Sequence, residues 1–257
     1  MNEIIFDFKS MIIGNRGCKG DIMENTLESI LYAIKQGADG ITIDVRKTLT
    51  GELVLFHDKT LNRLAFKDDF FFANSNNKEI EKLQWYHLFN TNLIDSIGRN
   101  YKIPQLIDIL RNEKVWQSDI LIMIYLHDDC YDCTRIIAEL IEEGLYEPSR
   151  FLLSSSSVEI LNYLYEFKNE LLEKDKNYEK LKIGQIISSN TKDNKNSQTV
   201  RKLHSKVVTH LIFETLELFE NFPIYNNKIK TFVYFNNLSG LENLVDGIIT
   251  DKISNFK

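Results

Sequence analysis

Glycine and proline are scarce in this chain of 257 residues, with 11 and 3 copies where average usage is about 7% and 5%. All-β sandwiches and barrels place one or the other at most turns, so the scarcity disfavours them. Three cysteines, an odd number in a chain this long, argue against a disulfide scaffold. A basic block is also missing. Lys and Arg number 31 against 37 Asp and Glu, a net charge of −6, which fits neither nucleic acid nor an anionic membrane surface as a partner. No run approaches the ~18 apolar residues of a membrane span. The first residues, Met1-Asn2-Glu3-Ile4-Ile5-Phe6-Asp7, carry acids where a secretory leader needs bases. The cytoplasm is the expected location.

What is present is ordinary globular composition, 43% hydrophobic and 26% charged, too apolar for a disordered chain. Short apolar runs alternate with amphipathic stretches over nearly the whole length. Met11-Ile12-Ile13-Gly14 reads as a buried strand. A helix follows from about Asn25 to Gln36, with Leu27, Ile30, Leu31 and Ile34 on one face, Asn25 as N-cap and Gly37 at C′. Gly40–Val45 and Leu53–His57 read as strands. Residues 58–100 break the rhythm with a polar, aromatic stretch that contains Phe70-Phe71-Phe72 and Asn76-Asn77, and read as an insertion within one domain spanning 1–257. Alternation then resumes: a helix near Pro104–Leu110, a strand at Ile120–Leu126, a helix from Thr134 to Glu143, a strand at Phe151–Ser154, a helix over Val158–Leu172 and a strand at Ile183–Ile187. Ser188–Thr199 is polar low-complexity sequence and reads as a loop. Strands are expected at Lys206–Thr209, Lys230–Phe235 and Gly247–Thr250.

Strands alternating with helices predict a parallel sheet. About eight strands without a dinucleotide-binding glycine fingerprint predict its closed form, a single (β/α)8 barrel with a small insertion after the second strand region. Such barrels work at the C-terminal ends of their strands. Asn15-Arg16, Asp44, His57, His127 and Asp251 all end or follow an apolar run, which predicts one pocket.

The stretch Ile12-Ile13-Gly14-Asn15-Arg16-Gly17, then Glu24-Asn25-Thr26-Leu27, Gly37-Ala38-Asp39-Gly40, Ile43-Asp44-Val45, Thr48, Gly51 and Phe56-His57-Asp58, resembles the glycerophosphodiester phosphodiesterase family. Ile103-Pro104-Gln105-Leu106, Ser154-Ser155-Ser156 and Val245 to Asp251 continue the resemblance in order. It implies a β/α barrel that hydrolyses glycerophosphodiesters to glycerol 3-phosphate and an alcohol with the help of calcium or magnesium. It also implies two proton-transferring histidines, a Glu-x-Asp pair and a later Glu as metal ligands, and an Arg and a Lys on the phosphate. Phosphodiester cleavage needs just these things: charge neutralised on the nonbridging oxygens and proton transfer on both sides.

Position by position, the set is half met. Arg16 stands at the phosphate-gripping Arg, His57 at the second histidine and Asp44 at the Asp of Glu-x-Asp. Asn15 replaces the first histidine, Thr42 the Glu two residues before Asp44, Tyr125 the later Glu, and His127 the Lys. An asparagine cannot shuttle a proton. Hard divalent cations want roughly six oxygens, carboxylates among them, so the divalent cation is expected to bind weakly or not at all. The sequence therefore predicts a divergent, inactive or very weak relative that still binds a glycerophosphodiester or another phosphate-bearing small molecule through Arg16, His127 and His57. A working enzyme with rearranged ligands, for instance Asp44 with Asp128 or Asp129 and His127, is the alternative. A non-catalytic scaffold that presents Phe70-Phe71-Phe72 to a partner protein is a third.

Plainer readings stand beside these. Asp44 pairs with Arg16 or Arg46 and needs no metal; Glu24 and Asn25 serve only the helix start; Asp251 closes the barrel; Tyr234 and Phe235 belong to the core. His127-x-x-Cys130-x-x-Cys133 has the residue types of a zinc or redox motif, but lacks a fourth ligand, and buried structural cysteines are the plainer reading.

Overall fold

The computed structural model describes residues 10–66, 78–127, 130–188, 208–220, 229–236 and 244–256. Eight parallel strands form the barrel wall: β1 (Met11–Gly14), β2 (Gly40–Lys47), β6 (Leu121–Leu126), β7 (Phe151–Ser155), β8 (Lys182–Ile187), β9 (His210–Phe213), β10 (Lys230–Tyr234) and β11 (Gly247–Thr250). Their order around the wall is β1-β11-β10-β9-β8-β7-β6-β2, and pairing of β1 with β2 closes it. β3 (Leu53–Leu55) runs antiparallel on the outer part of β2. The helices are α1 (Leu27–Lys35), α2 (Trp85–Asn90), α3 (Leu106–Leu110), α4 (Glu113–Trp116), α5 (Asp132–Glu142), α6 (Val158–Lys174) and α7 (Leu216–Glu220). None is long and apolar enough to cross a membrane.

The strands carry apolar side chains on both faces, as strands covered on both sides must. On β6, Ile122, Ile124 and Leu126 face the helices, where they join the core that includes Ile30, Leu106, Ile137 and Leu161. Leu121 and Met123 face inward and meet Ile13, Leu152, Ile186, Ile212, Phe232 and Ile249 in the barrel interior. On β2, Ile41, Ile43 and Val45 belong to the outer core. The two-residue period of a strand therefore turns Thr42 and Asp44 toward the lumen.

The insertion is a small unit with its own core, in which Val54, Phe56, Leu61, Ile80, Leu83, Leu88 and Ile103 pack together. It includes the 3-10 turn Leu61–Arg63, α2, and a hairpin of β4 (Asn92–Ile94) and β5 (Asn100–Lys102). The hairpin carries it two residues beyond the expected boundary. Phe70-Phe71-Phe72, Asn76-Asn77 and the loop segment 189–199 lie outside the described residues.

Two local expectations are corrected. The ninth strand spans His210–Phe213 rather than Lys206–Thr209: Val207-Val208-Thr209 has the β-branched composition of a strand, but the barrel pairs His210 and the apolar Leu211-Ile212-Phe213 instead. The N-cap of α1 is Thr26, whose hydroxyl accepts from Ser29 N. Asn25 is at φ +56, outside the extended range a capping residue adopts, and its side chain is used elsewhere. Gly37 does end the helix, at φ +72, with Gly37 N donating to Ile34 O and Ala38 N to Ala33 O.

Candidate active site

The C-terminal ends of the strands enclose a cavity of about 490 Å³ lined by Asn15, Arg16, Thr42, Asp44, His57 and Tyr125, among others. Backbone pairing explains part of this convergence. Asp44 is in register with Tyr125, and Tyr125 with Ser154, so the three side chains stand side by side on one face of the sheet.

The turn after β1 is held in an uncommon shape. Arg16 has φ +51 and Gly17 φ +85, left-handed conformations that are rare for a residue such as arginine. Hydrogen bonds on each side fix it: Arg16 N donates to Thr42 Oγ1 (2.8 Å), Ser29 Oγ donates to Arg16 O (3.1 Å), and Asn25 N donates to the same carbonyl (3.0 Å). Gly17 admits no side chain, because a Cβ there would lie 2.7 Å from the Ser29 carbonyl carbon. The strained turn aims the Arg16 guanidinium at the mouth. Nη1 donates to Glu24 Oε1 (2.8 Å), and Nε pairs with Asp44 Oδ2 (3.1 Å).

Asp44 is buried, and donors occupy both its oxygens. Oδ2 also accepts from Asn25 Nδ2 at 2.9 Å, and Oδ1 faces His127 Nε2 at 3.0 Å. Burial alone would raise this carboxyl. The hydrogen bond from His127 and the charge of Arg16 outweigh it and hold Asp44 well below the usual carboxylate range. His127 Nδ1 lies 3.3 Å from Arg46 Nη2. A guanidinium can only donate, so Nδ1 accepts and the ring proton sits on Nε2, directed at Asp44. Burial lowers the His127 pKa despite Asp44, which leaves a neutral imidazole with both nitrogens engaged. Asp44 thus pairs with Arg16 and not with Arg46, whose Nε and Nη2 donate to His57 O (2.8 and 2.6 Å).

His57 is arranged differently. Its Nδ1 meets Asp58 Oδ1 at 2.7 Å, and an ionised carboxylate fixes the proton there. Nε2 is then the lone-pair nitrogen. Asn15 cannot match it, since its amide is tied at both ends: Nδ2 donates to Asp251 Oδ1 (2.9 Å), and Oδ1 accepts from Thr42 Oγ1 (3.1 Å). The Tyr125 ring lies against His127 with centroids 4.0 Å apart, and its hydroxyl bonds Ser156 Oγ (3.0 Å). Burial raises the Tyr125 phenol above its ordinary value, so it stays neutral.

Four residues enter the site on grounds that local sequence did not supply. Lys19 reaches the mouth with Nζ 3.3 Å from Asp251 Oδ1 and 5.3 Å from the centre of the Tyr234 ring. Glu214, after β9, lines the cavity; the residue is exposed, yet partial burial of its carboxyl raises the pKa. Tyr234, expected in the core, is a cavity wall. Glu24, expected only to start a helix, is buried and grips both Arg16 and Arg63. Periodicity along one element cannot foretell such contacts, because each joins elements far apart in sequence. Asp251 does more than close the barrel, since it holds Asn15 and Lys19.

Asp44, His57 and His127 each offer a ligand atom, and these lie within 4.8 Å of one another, close enough to hold a metal ion. Two imidazoles and one carboxylate suit a borderline transition ion better than calcium or magnesium, which prefer oxygens. Thr42 Oγ1 and the neutral Tyr125 phenol add no charge. Both oxygens of Asp44 are already taken, and His127 presents a proton where a metal would need a lone pair. This donor set does not fit a hard divalent cation. Asp128 and Asp129 lie outside the described residues. Cys130 and Cys133 are buried free thiols; Cys130 Sγ donates to Val45 O, and burial pushes the Cys133 thiol well up, away from the lowered pKa of a reactive thiol.

The chain is similar to known proteins over most of its length. A glycerophosphodiester phosphodiesterase of Caldanaerobacter subterraneus is 31% identical over 116 residues, 45% of this chain and 44% of that protein; the matched part is thus less than half of the relative. The barrel superposes on a glycerophosphodiester phosphodiesterase from Agrobacterium tumefaciens with a TM-score of 0.67 at 19% identity, over 96% of this chain and 98% of the other. An Oleispira antarctica phosphodiesterase, solved with the product sn-glycerol-3-phosphate, gives 0.67 at 19% identity over 95% and 94%. At such identities the likeness is one of fold. Residues 16–255 match the sequence signature of a single family, and on that match the chain belongs to the glycerophosphoryl diester phosphodiesterase family.

Proposed function

We propose that the mouth binds the phosphate of a glycerol phosphate ester and that the chain hydrolyses glycerophosphodiesters at or near background. The observation that carries the binding half is the pair of cations at the rim. Among the described residues, Arg16 Nη2 has no hydrogen-bond partner, and Lys19 Nζ has a single carboxylate at 3.3 Å. Two donor groups on a 490 Å³ cavity suit a phosphate, which takes charge-assisted hydrogen bonds from several directions. The Oleispira relative, similar in fold, was solved with sn-glycerol-3-phosphate, which makes that compound the probe of choice.

The catalytic half rests on what faces His57. His57 and Asp58 form a competent proton-accepting pair, but the amide of Asn15 stands where the resemblance puts the first histidine. Losing one such group removes about 10²–10⁴-fold of rate. Charge on the nonbridging oxygens would fall to Arg16 and Lys19 alone. The test is calorimetric titration with glycerol 3-phosphate and glycerophosphocholine, together with a hydrolysis assay with and without calcium or magnesium. Binding without turnover is expected. Robust, metal-dependent hydrolysis that disappears in His57→Ala would overturn the proposal.

One observation favours a second reading, an active enzyme with rearranged ligands: the nitrogen-rich trio of Asp44, His57 and His127. On that reading zinc or manganese, unlike calcium, raises the melting temperature, and His127→Ala abolishes the rise.

A further inference from the structure

Arg63 lies outside the cavity, on the 3-10 turn that opens the insertion. Its guanidinium meets two carboxylates from different parts of the chain. Nη2 and Nη1 donate to Glu24 Oε1 (2.6 Å) and Oε2 (3.0 Å). Nε and Nη2 donate to Asp58 Oδ2 (2.6 Å) and Oδ1 (3.1 Å). Each carboxylate in turn holds a polar group that lines the mouth. Glu24 Oε1 accepts from Arg16 Nη1 at 2.8 Å, and Asp58 Oδ1 accepts from His57 Nδ1 at 2.7 Å. Asp44, Arg16, Glu24, Arg63, Asp58 and His57 thus form an unbroken line of alternating charge and hydrogen bonds, with Arg63 at its centre.

The geometry points to Arg63 as a positioning residue that sets Arg16 and His57 relative to each other, and so ties the insertion to the phosphate seat. A single planar fork bridging two carboxylates fixes both their planes at once. Lysine carries one compact charge and cannot make two bidentate pairs. Glu24 and Asp58 are both held below the usual carboxylate range, with the hydrogen bond from Arg63 the foremost lowering influence on each. Without the fork, Asp58 is free to rotate and the His57 ring loses its fixed tautomer. Glu24, buried beside Arg16, is left with half its partners and draws the Arg16 guanidinium toward itself.

The affinity arm of the test rests on the binding proposed above; the spectroscopic arm does not. In the wild-type protein, ¹⁵N NMR of the ring nitrogens, assigned with His57→Gln, should show His57 as one tautomer protonated on Nδ1. Arg63 is half-exposed, so its replacement leaves the core intact, and in Arg63→Lys the same signals should move toward a mixture of tautomers. Glycerol 3-phosphate affinity should fall about tenfold, equivalent to about 1.4 kcal/mol. Asp58→Asn should disturb the His57 signals and leave the affinity nearly intact, whereas Glu24→Gln should do the reverse. An unchanged His57 signature in Arg63→Lys overturns the coupling whether or not the ligand binds. Failure of the wild-type protein to bind glycerol 3-phosphate, with the tautomer shift present, overturns the binding proposal instead.

Discussion

The two ends of the barrel hold their charged side chains with different partners. At the mouth, Arg16 is matched with Glu24 and Asp44 and Arg63 with Glu24 and Asp58, and Arg46 alone of the three arginines named there donates to a backbone carbonyl, that of His57. At the floor, cations are matched with backbone carbonyls. Arg150 donates to the carbonyls of Val115, Trp116 and Ile120 (3.2, 2.6 and 3.2 Å), Lys182 donates to Ser149 O, and Lys168 donates to the carbonyls of Glu179 and Leu181 (2.9 and 2.6 Å). Carbonyls are fixed acceptors, so the floor is a set of helix and loop ends sewn to strand starts. Carboxylates titrate and can exchange partners, so the mouth can trade an internal ion pair for a ligand. The floor serves the fold; the mouth, on the proposed reading, serves an occupant.

Four experiments would break or sharpen that comparison. The largest effect is expected from Asp44→Ala, which strands Arg16 Nε, Asn25 Nδ2 and the His127 proton in a buried place. Removing one partner of a buried network typically costs about 3–5 kcal/mol, measurable by urea unfolding. A loss below about 1 kcal/mol would mean the mouth is not stabilised by this carboxylate. Arg150→Met comes next. It leaves three carbonyls without their donor, at about 1 kcal/mol each, and should lower the stability without touching glycerol 3-phosphate affinity; a parallel loss of affinity would erase the distinction between the two ends.

Acid separates the ends by pH. Burial, aided by Lys182 and Lys230, pushes His210 on the floor down from 6.5 to about 3. The stability it contributes is full above pH 6.5 and is lost as the pH falls toward 3, by about 1.4 kcal/mol per pH unit. His127 at the mouth, also lowered from 6.5 by burial, contributes stability that is likewise lost as the pH falls below 6.5. The lowered carboxyls of Asp44, Glu24 and Asp58 contribute stability that is present above about pH 4 and lost below it. In unfolding curves recorded from pH 7 to 3, His210→Gln should flatten the upper window and leave the lower one. The smallest effect is expected from metal. Millimolar calcium or magnesium should barely move the melting temperature, whereas saturation at a hundred times the dissociation constant would add about 2.7 kcal/mol. A clear rise that vanishes in Asp44→Ala would show that the Arg16 pair gives way to a cation.

The same contrast explains what the sequence discloses. Seven of the eight wall strands were legible because burial on both faces leaves a continuous apolar run, and the eighth was displaced by the β-branched Val207-Val208-Thr209 just ahead of it. Asn15, Arg16, Thr42, Asp44, His57 and Tyr125 were legible as a set through the family resemblance, and the alternation within β2 and β6 agrees with their facing one lumen. Lys19, Glu24, Arg63 and Glu214 were not. Lysines, arginines and glutamates are ordinary surface residues by composition, and only the closed barrel brings Glu24 to Arg63 across 39 positions of the chain. Asn25 misled for a related reason: asparagine suits both an N-cap and a left-handed turn, and the structure uses the turn to free its amide for Asp44.

Phe232 fills the barrel below the mouth, against a position where only glycine fits: a Cβ on Gly247 would lie 2.2 Å from its ring. With Met123, Ile186, Ile212 and Ile249 packed in the same interior cluster, the described residues leave the lumen open at the mouth and filled beneath it. A molecule that enters such a chamber leaves by the way it came, so on the proposed binding two phosphate-bearing compounds compete for it rather than follow one another through.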